Sequence, residues 1–225
     1  MKNIYENMYR SGDDAFKNNP RIEIMLRIIN RLNLESKDIL DIGCHFGRFL
    51  SSIKNKNNNF YGLDASNRAI KESFKKGINV QKFYFDDKSE IPFPNNSFDL
   101  INAGDIIEHI YDTDFFLEEI KRLLRPDGYF LISTPNIASF GRRVLLLFGI
   151  SPFIETSPNE TESSGHIRYF TFKTLKRILE KHSFKIILKK SDVLNLSNNG
   201  KLKSFFFPKL FLSLGQSVIY LCQKN

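Results

Sequence analysis

The stretch that decides the fold reads Ile39-Leu40-Asp41-Ile42-Gly43-Cys44-His45-Phe46-Gly47-Arg48-Phe49-Leu50. Its apolar first half ends in an acid and a glycine, and a helical pattern begins almost at once. This pattern predicts a buried strand that turns tightly into a helix. Gly43 and Gly47 let the chain reverse and let the backbone approach a ligand closely. The N–H groups at the helix start favour a negatively charged group above the strand end.

A second acid, Asp64, ends the next apolar run, Phe60-Tyr61-Gly62-Leu63. An acid about 20 residues after a glycine turn is placed to bind a ribose diol. The dinucleotide fingerprint G-x-G-x-x-G does not fit here, because its second and third glycines would fall on His45 and Arg48. A different cofactor turn is therefore expected.

The length of 225 residues suits one α/β domain spanning 1–225. Cys44 and Cys222 lie far apart in apolar runs, which indicates buried thiols rather than a disulfide framework or a metal site. The first residues carry no apolar signal core, and the apolar stretch 205–222 is interrupted by polar residues. A cytoplasmic location is expected.

The net charge of +8 is unevenly distributed along the chain. Residues 1–136 hold 19 basic and 20 acidic residues, whereas residues 137–225 hold 14 basic and 5 acidic ones. A lysine-rich solvated surface explains this excess. The alternative is attraction to an anionic substrate, a membrane surface or RNA.

Hydrophobic periodicity predicts alternating helices and strands, hence a mostly parallel sheet covered on both faces. The chain should end in an antiparallel strand pair. Predicted helices span 21–34, about 47–55, 66–76, 112–124, 138–148 and 171–182. Predicted strands span 38–43, 60–64, 79–85, 129–133, 184–191 and 216–223, and a fourth strand, entered from a loop at 91–101, ends at Ala103 and Gly104. A stop and turn is predicted at 125–128.

The spacing Asp41-x-Gly43-x-x-x-Gly47 resembles motif I of the class I S-adenosylmethionine-dependent methyltransferases. His45 stands where most members carry a glycine. Four more blocks resemble this family, in the same order, so that the resemblance covers roughly residues 35–136: Asp64, residues 86–93, residues 98–109 and residues 123–129. A further block, 165–171, resembles the ubiquinone-type O-methyltransferases.

The resemblance implies a Rossmann-like seven-stranded sheet in the order 3-2-1-4-5-7-6, with S-adenosylmethionine as cofactor and S-adenosylhomocysteine as product. The implied site residues serve four parts of the cofactor. They are Asp41, Gly43, Cys44 and Gly47 for the methionine part, Asp64 for the ribose, Ala65, Asp87 and the Lys88 N–H for the adenine, and Ala103 and Gly104 beneath the sulfonium.

A second set of polar residues follows the fourth predicted strand. If 105–110 begins a helix, Asp105, Glu108 and His109 lie on one face, and His166 reaches them from above. Similar segments in metal-dependent 2′-O-methyltransferases of small RNAs and in ubiquinone-type enzymes imply a divalent ion held by these four residues. The alternatives are metal-free acid–base work by Glu108, His109 and His166, or plain capping and packing.

The acceptor is expected to meet residues 137–165, an insert after strand five that could act as a lid. Its first half, through Phe148, is basic and then strongly apolar, which suits either a helix buried against the sheet or a cover for a greasy or anionic acceptor. We therefore predict O-methylation of a small-molecule, lipid-linked or glycan acceptor, with a peripheral membrane contact. RNA methylation and a non-catalytic cofactor-binding protein are the alternatives, and the oligomeric state is left open.

Overall fold

A computed structural model of the protein describes residues 19–53, 57–85, 89–152, 165–195, 203–204 and 206–225. Its strands are β1 (Asp38–Ile42), β2 (Asn59–Asp64), β3 (Asn79–Lys82), β4 (Phe98–Gly104), β5 (Leu124–Pro135), β6 (Phe184–Lys190), β7 (Leu194–Asn195), β8 (Lys203–Ser204) and β9 (Ser217–Lys224). Its α-helices are α1 (Pro20–Leu32), α2 (Arg48–Ser51), α3 (Asn67–Phe74), α4 (Thr113–Leu123), α5 (Phe140–Leu147), α6 (Phe172–Lys181) and α7 (Phe207–Leu210). Single 3₁₀ turns lie at Ile107–His109 and Leu212–Leu214.

Seven strands form one sheet in the order β3-β2-β1-β4-β5-β9-β6, and β7 pairs separately with β8. The strands from β3 to β5 are parallel, whereas β9 runs antiparallel to both β5 and β6. The predicted fold class and strand order are confirmed. The carboxyl ends of β1, β2 and β4 therefore share one edge of the sheet, where ligands of such folds bind.

The core lies on both faces of the sheet because the strands are apolar on both sides. Leu40 and Ile42 of β1 belong to the cluster beneath α4 and α6. Ile39 faces the other way and packs with Met25 of α1 and Phe49 of α2. The sheet is thus held from both sides, which fixes the positions of the strand ends.

Three predicted boundaries were wrong. The helix predicted to reach 55 ends at Ser51, where the Ser51 and Ser52 hydroxyls bond to carbonyls one turn back and compete with the helix. The third strand ends at Lys82 rather than 85, since its single neighbour β2 ends opposite it.

The third wrong boundary concerns the predicted stop and turn at 125–128. Strand β5 already begins at Leu124, and the pairing shifts between Phe98–Leu124 and Leu100–Tyr129. The extra residues form an irregular bulge in which Asp127 has φ +60°. The turn signals thus mark a bulge inside the strand.

Among the described residues, no helix has the length and apolar character needed to cross a lipid bilayer.

Candidate functional site

The turn after β1 depends on two glycines with left-handed backbone. Gly43 has φ +70° and Gly47 has φ +66°. A Cβ on Gly43 would lie 2.2 Å from Ile106 Cδ1, and a Cβ on Gly47 would lie 2.4 Å from Ile78 Cδ1. The turn is tied to the neighbouring strand by the Gly43 N–H, which donates to the Leu63 carbonyl at 2.8 Å. Both positions therefore require glycine, and the turn lies directly against the residues that follow β4.

Asp64 at the end of β2 joins this turn to the start of α3. Its Oδ2 accepts from the His45 backbone N–H at 2.9 Å, and its Oδ1 accepts from the Ser66 N–H at 2.8 Å. The intervening residue, Ala65, is small and half-buried. A carboxylate accepts up to about four hydrogen bonds, so the group that orders the turn is also of the right kind to bind a ribose diol.

Asp41 is fully enclosed between β1 and β4. Asn102 Nδ2 donates to Asp41 Oδ1 at 2.7 Å, while Asn102 Oδ1 is buried without a hydrogen-bond partner among the described residues. Burial raises the pKa of Asp41 to about 7, and the nearby Asp64 charge adds to the effect, while the Asn102 hydrogen bond opposes it. Asp41 therefore shapes the strand end from inside, where it is shielded from solvent.

Cys44 faces away from the edge and packs over β2. Its Sγ would lie 2.6 Å from a Cβ placed on Gly62. Burial raises the pKa of the thiol, and the charges of Asp41 and Asp64 raise it further. Cys44 contributes to the turn through its backbone N–H, which donates to the Leu63 carbonyl at 3.1 Å.

The small residues at the end of β4 lie where the sequence placed them. Ala103 is fully buried, opposite Ile42 of β1. Gly104 is partly exposed, and a Cβ there would meet Met25 and Ser133 at ordinary contact distances. The two predicted adenine residues, Asp87 and Lys88, lie outside the described residues, so their roles stay predictions.

Beyond β4, the 3₁₀ turn brings three predicted residues together. Ligand atoms of Glu108, His109 and His166 all lie within 4.8 Å of one another. A backbone hydrogen bond holds the two segments together, because the Ile167 N–H donates to the Glu108 carbonyl at 2.9 Å. His109 Nδ1 contacts the Gly165 carbonyl at 3.1 Å, and the two imidazole rings are 4.9 Å apart.

Glu108 is the buried member of this cluster, with 1 % of its surface exposed. Its Oε2 accepts from Thr134 Oγ1 at 2.9 Å, whereas Oε1 has no hydrogen-bond partner in the described ranges and lies 3.9 Å from His166 Nε2. Burial raises the pKa of Glu108 to about 7 and outweighs the Thr134 hydrogen bond and the Arg21 charge. The cluster thus presents one carboxylate oxygen and imidazole nitrogens that can exchange protons or hold a metal ion.

Asp105 does not join the cluster, so this part of the prediction was wrong. Its φ is +55°, which interrupts the helix on which the predicted convergence depended. Its carboxylate instead forms an ion pair with Arg21 of α1 and accepts from Ser133 Oγ at 3.3 Å. Within the described part of the chain, the candidate metal ligands are reduced to Glu108, His109 and His166.

Arg21 is the residue that the sequence did not indicate. Burial lowers the pKa of its guanidinium, while the charges of Glu108 and Asp192 raise it. One local signal was available, because a base in the first turn of a helix opposes the helix dipole and needs another reason to be there. That reason is the ion pair with Asp105, which directly follows β4.

A family model described as a methyltransferase domain matches residues 18–189. The chain belongs to this methyltransferase family. The predicted resemblance to class I S-adenosylmethionine-dependent methyltransferases is confirmed, and S-adenosylmethionine is the cofactor that this family and fold imply.

Three relatives show how far the similarity extends. The ubiquinone biosynthesis O-methyltransferase of Pelagibacter ubique is 32% identical over 113 residues, 46% of this chain and 44% of that protein. The mitochondrial arginine-hydroxylase of Rattus norvegicus is 28% identical over 184 residues, 79% of this chain and 52% of that protein. The chain spans about half or less of the length of the curated relatives it matches. Among solved structures, an S-adenosylmethionine-dependent methyltransferase from Methanosarcina mazei shares the fold, with a TM-score of 0.62, 22% identity and coverage of 88% of this chain and 96% of that one.

Proposed function

We propose that the chain transfers a methyl group from S-adenosylmethionine to a hydroxyl oxygen of a small-molecule, lipid-linked or glycan acceptor. The observation that carries this proposal is the position of the Glu108–His109–His166 cluster. Its first residue, Glu108, comes two residues after Ile106, whose side chain lies against Gly43 in the turn after β1. Proton-accepting groups therefore lie beside the turn that this family uses for its cofactor.

The residues at the sheet edge fit the cofactor. Gly43 and Gly47 add no side chain of their own to the turn, Asp64 offers carboxylate oxygens to a diol, and Gly104 has no side chain at the end of β4. When bound, S-adenosylmethionine supplies a methyl group on a sulfonium that is a good leaving group. The protein holds the acceptor oxygen in line with the methyl carbon and the sulfur, and it removes the proton of the acceptor hydroxyl.

Glu108 and His166 are the groups that can accept the proton of the acceptor hydroxyl. Glu108 Oε1 is buried and lies 3.9 Å from His166 Nε2, so the half-buried imidazole can take the acceptor proton and share it with the carboxylate. Glu108 is held by Thr134, and His109 is held by the Gly165 carbonyl, so the groups are already oriented. We assign Glu108 and His166 to proton acceptance and His109 to orientation.

A divalent metal ion is compatible with the same three side chains. One carboxylate and two imidazoles form a donor set that suits a transition metal better than calcium. Such an ion would polarise the acceptor hydroxyl and make its proton more acidic. The lone pairs that would hold the ion are those that accept the proton in its absence, so the two roles are alternatives.

The surroundings of the cluster favour an acceptor with an apolar part. Tyr111, Ile167 and Tyr169 are exposed. Arg168 ties the segment around Ile167 to the segment before Asp112, since its guanidinium donates to the carbonyls of Ile110 and Tyr111. We propose that this apolar rim and the insert 137–165 receive the acceptor, with the insert as a lid. The name of the ubiquinone biosynthesis O-methyltransferase supports such an acceptor class.

The decisive experiment has two parts. Calorimetry with S-adenosylmethionine and S-adenosylhomocysteine tests cofactor binding, and a methyl-labelled cofactor then tests transfer to phenolic, glycan, lipid-linked and RNA acceptors. We expect binding of both ligands and label on a phenolic, glycan or lipid-linked acceptor. Label on RNA alone would establish the alternative favoured by the basic residues 137–225, and binding without transfer to any acceptor would point to a non-catalytic protein.

A further inference from the structure

Helix α5 exposes an apolar surface that the proposed chemistry does not use. None of its residues is buried, although it contains Val144, Leu145, Leu146 and Leu147. Leu147 is 81% exposed, and Phe148, which follows it, is 73% exposed. Of the two alternatives for this segment, a helix buried against the sheet is therefore wrong for α5. Consecutive exposed large apolar residues of this kind mark a surface that meets an apolar partner.

A second exposed segment lies beside α5. Phe206, Leu210 and Phe211 are all more than half exposed. They lead into the 3₁₀ turn at Leu212–Leu214, and Arg143 of α5 donates to the Ser213 carbonyl of that turn at 3.2 Å. We call the exposed residues of these two segments the docking face: Val144, Leu146, Leu147, Phe148, Ile150, Phe206, Leu210 and Phe211.

The stretch of the chain that carries α5 is positively charged. Residues 137–152 contain Arg142 and Arg143 and no acid. A nucleic acid would match the charge but would leave the leucines and phenylalanines in water. A bilayer with anionic headgroups matches both properties, since apolar side chains enter the acyl boundary and basic ones stay at the headgroups.

We infer that the docking face binds the surface of anionic lipid bilayers. The eight residues of α5 measure about 12 Å along the axis, against about 30 Å for a hydrocarbon core, so the helix would lie in the interface rather than cross it. The face follows the functional edge of the sheet closely in sequence, because α5 begins five residues after the end of β5, and Asn136 between them pairs with Phe170. Binding to lipid requires no methyl transfer, so it is testable independently of the proposed function.

The test is co-sedimentation of the protein with vesicles of phosphatidylcholine alone and with vesicles that also contain phosphatidylglycerol. We expect binding to the anionic vesicles and weaker binding at high salt. The double variant Leu147→Asp/Phe148→Asp should reduce binding at least about tenfold, because two charges would enter the acyl boundary. The control Phe74→Asp adds a charge at another apolar side chain, 55% exposed at the end of α3, and should leave binding unchanged.

Two results would overturn the inference. The first is wild-type binding to anionic vesicles that is no stronger than to neutral ones. The second is a dimer in light scattering that the Leu147→Asp/Phe148→Asp variant dissociates, which would make the face a contact between two copies. Because all these side chains are exposed, the variants should unfold at the wild-type temperature, and a melting curve checks this.

Discussion

The backbone N–H of His45 donates to the Asp64 carboxylate across the gap between the first and second strand ends, at 2.9 Å. The acid that we assign to the ribose therefore also holds the glycine turn in place. Replacing it should affect ligand binding and stability together, and an experiment must separate the two effects.

Asp64→Ala should weaken S-adenosylmethionine binding by about 1.5–3 kcal/mol, the range for hydrogen bonds to a charged group. Ser66→Ala serves as the control, because it removes the N-cap of α3 and about 1 kcal/mol of stability without removing an assigned ribose contact. Calorimetry and thermal unfolding of both variants measure the two quantities. Equal affinities in Asp64→Ala and Ser66→Ala would refute the ribose assignment.

Gly43→Ala should destabilise the fold more than Gly77→Ala. Both glycines have left-handed backbone, which alone makes alanine unfavourable by about 1–2 kcal/mol. A Cβ on Gly77 meets nothing within 4 Å, whereas on Gly43 it collides with Ile106. Denaturant unfolding should show a difference of about 1–3 kcal/mol between the variants, as for overpacked cores. Adding Ile106→Val to Gly43→Ala removes the colliding Cδ1. The double variant should therefore be closer in stability to Gly77→Ala than Gly43→Ala alone is.

Glu108→Gln should lower turnover by about 10²–10⁴-fold while cofactor affinity stays nearly unchanged, because the amide cannot accept the acceptor proton. His109→Ala should also lower turnover, again with cofactor binding retained. The control is Glu119→Gln, a buried acid of α4 that accepts from the Ile91 N–H and Arg122. That variant should lose stability but turn over normally at temperatures where it is folded. Full activity in Glu108→Gln would leave the cluster a structural role only.

Asp41 should make the stability of the protein fall as pH rises. Its pKa is about 7 in the folded protein against 3.8 for an unperturbed carboxyl, so its contribution is complete at low pH and is lost as pH rises through 7. Between about pH 5 and pH 9 the loss should be on the order of 3 kcal/mol. Asp41→Asn keeps an oxygen for the Asn102 hydrogen bond and removes the titration. The unfolding free energy of the wild type should fall across this range more steeply than that of Asp41→Asn. Parallel curves for the two proteins would contradict the raised pKa of Asp41.

The sequence predicted those parts of the fold that depend on neighbouring residues. The turn after β1 follows from an apolar run beside Gly43 and Gly47, and the strand order came from the family resemblance. The same local reasoning failed at Asp105, because a helical period assumes one backbone conformation throughout, and that residue is left-handed.

Contacts between distant segments were beyond local reasoning. The ion pair between Arg21 and Asp105 joins the first helix to the end of β4, and no spacing rule connects them. The exposure of α5 could not be predicted either, since an apolar helix has the same sequence pattern whether it packs against the protein or faces solvent. The meeting of Glu108 with His166 came from the resemblance and needed the chain from 165 to 168 to fold back over the 3₁₀ turn.

Strand β9 follows both β5 and β6 in the sequence and yet lies between them, bonded to both. During synthesis β5 and β6 leave the ribosome earlier, and each waits with an unpaired edge until residues 217–224 emerge. A nascent chain stalled before residue 217 would carry two open edges, one of them the apolar β5, and would be a target for chaperones or for pairing with another chain. Completion of the sheet, and with it the stable placement of Thr134 behind Glu108, therefore depends on residues 217–224.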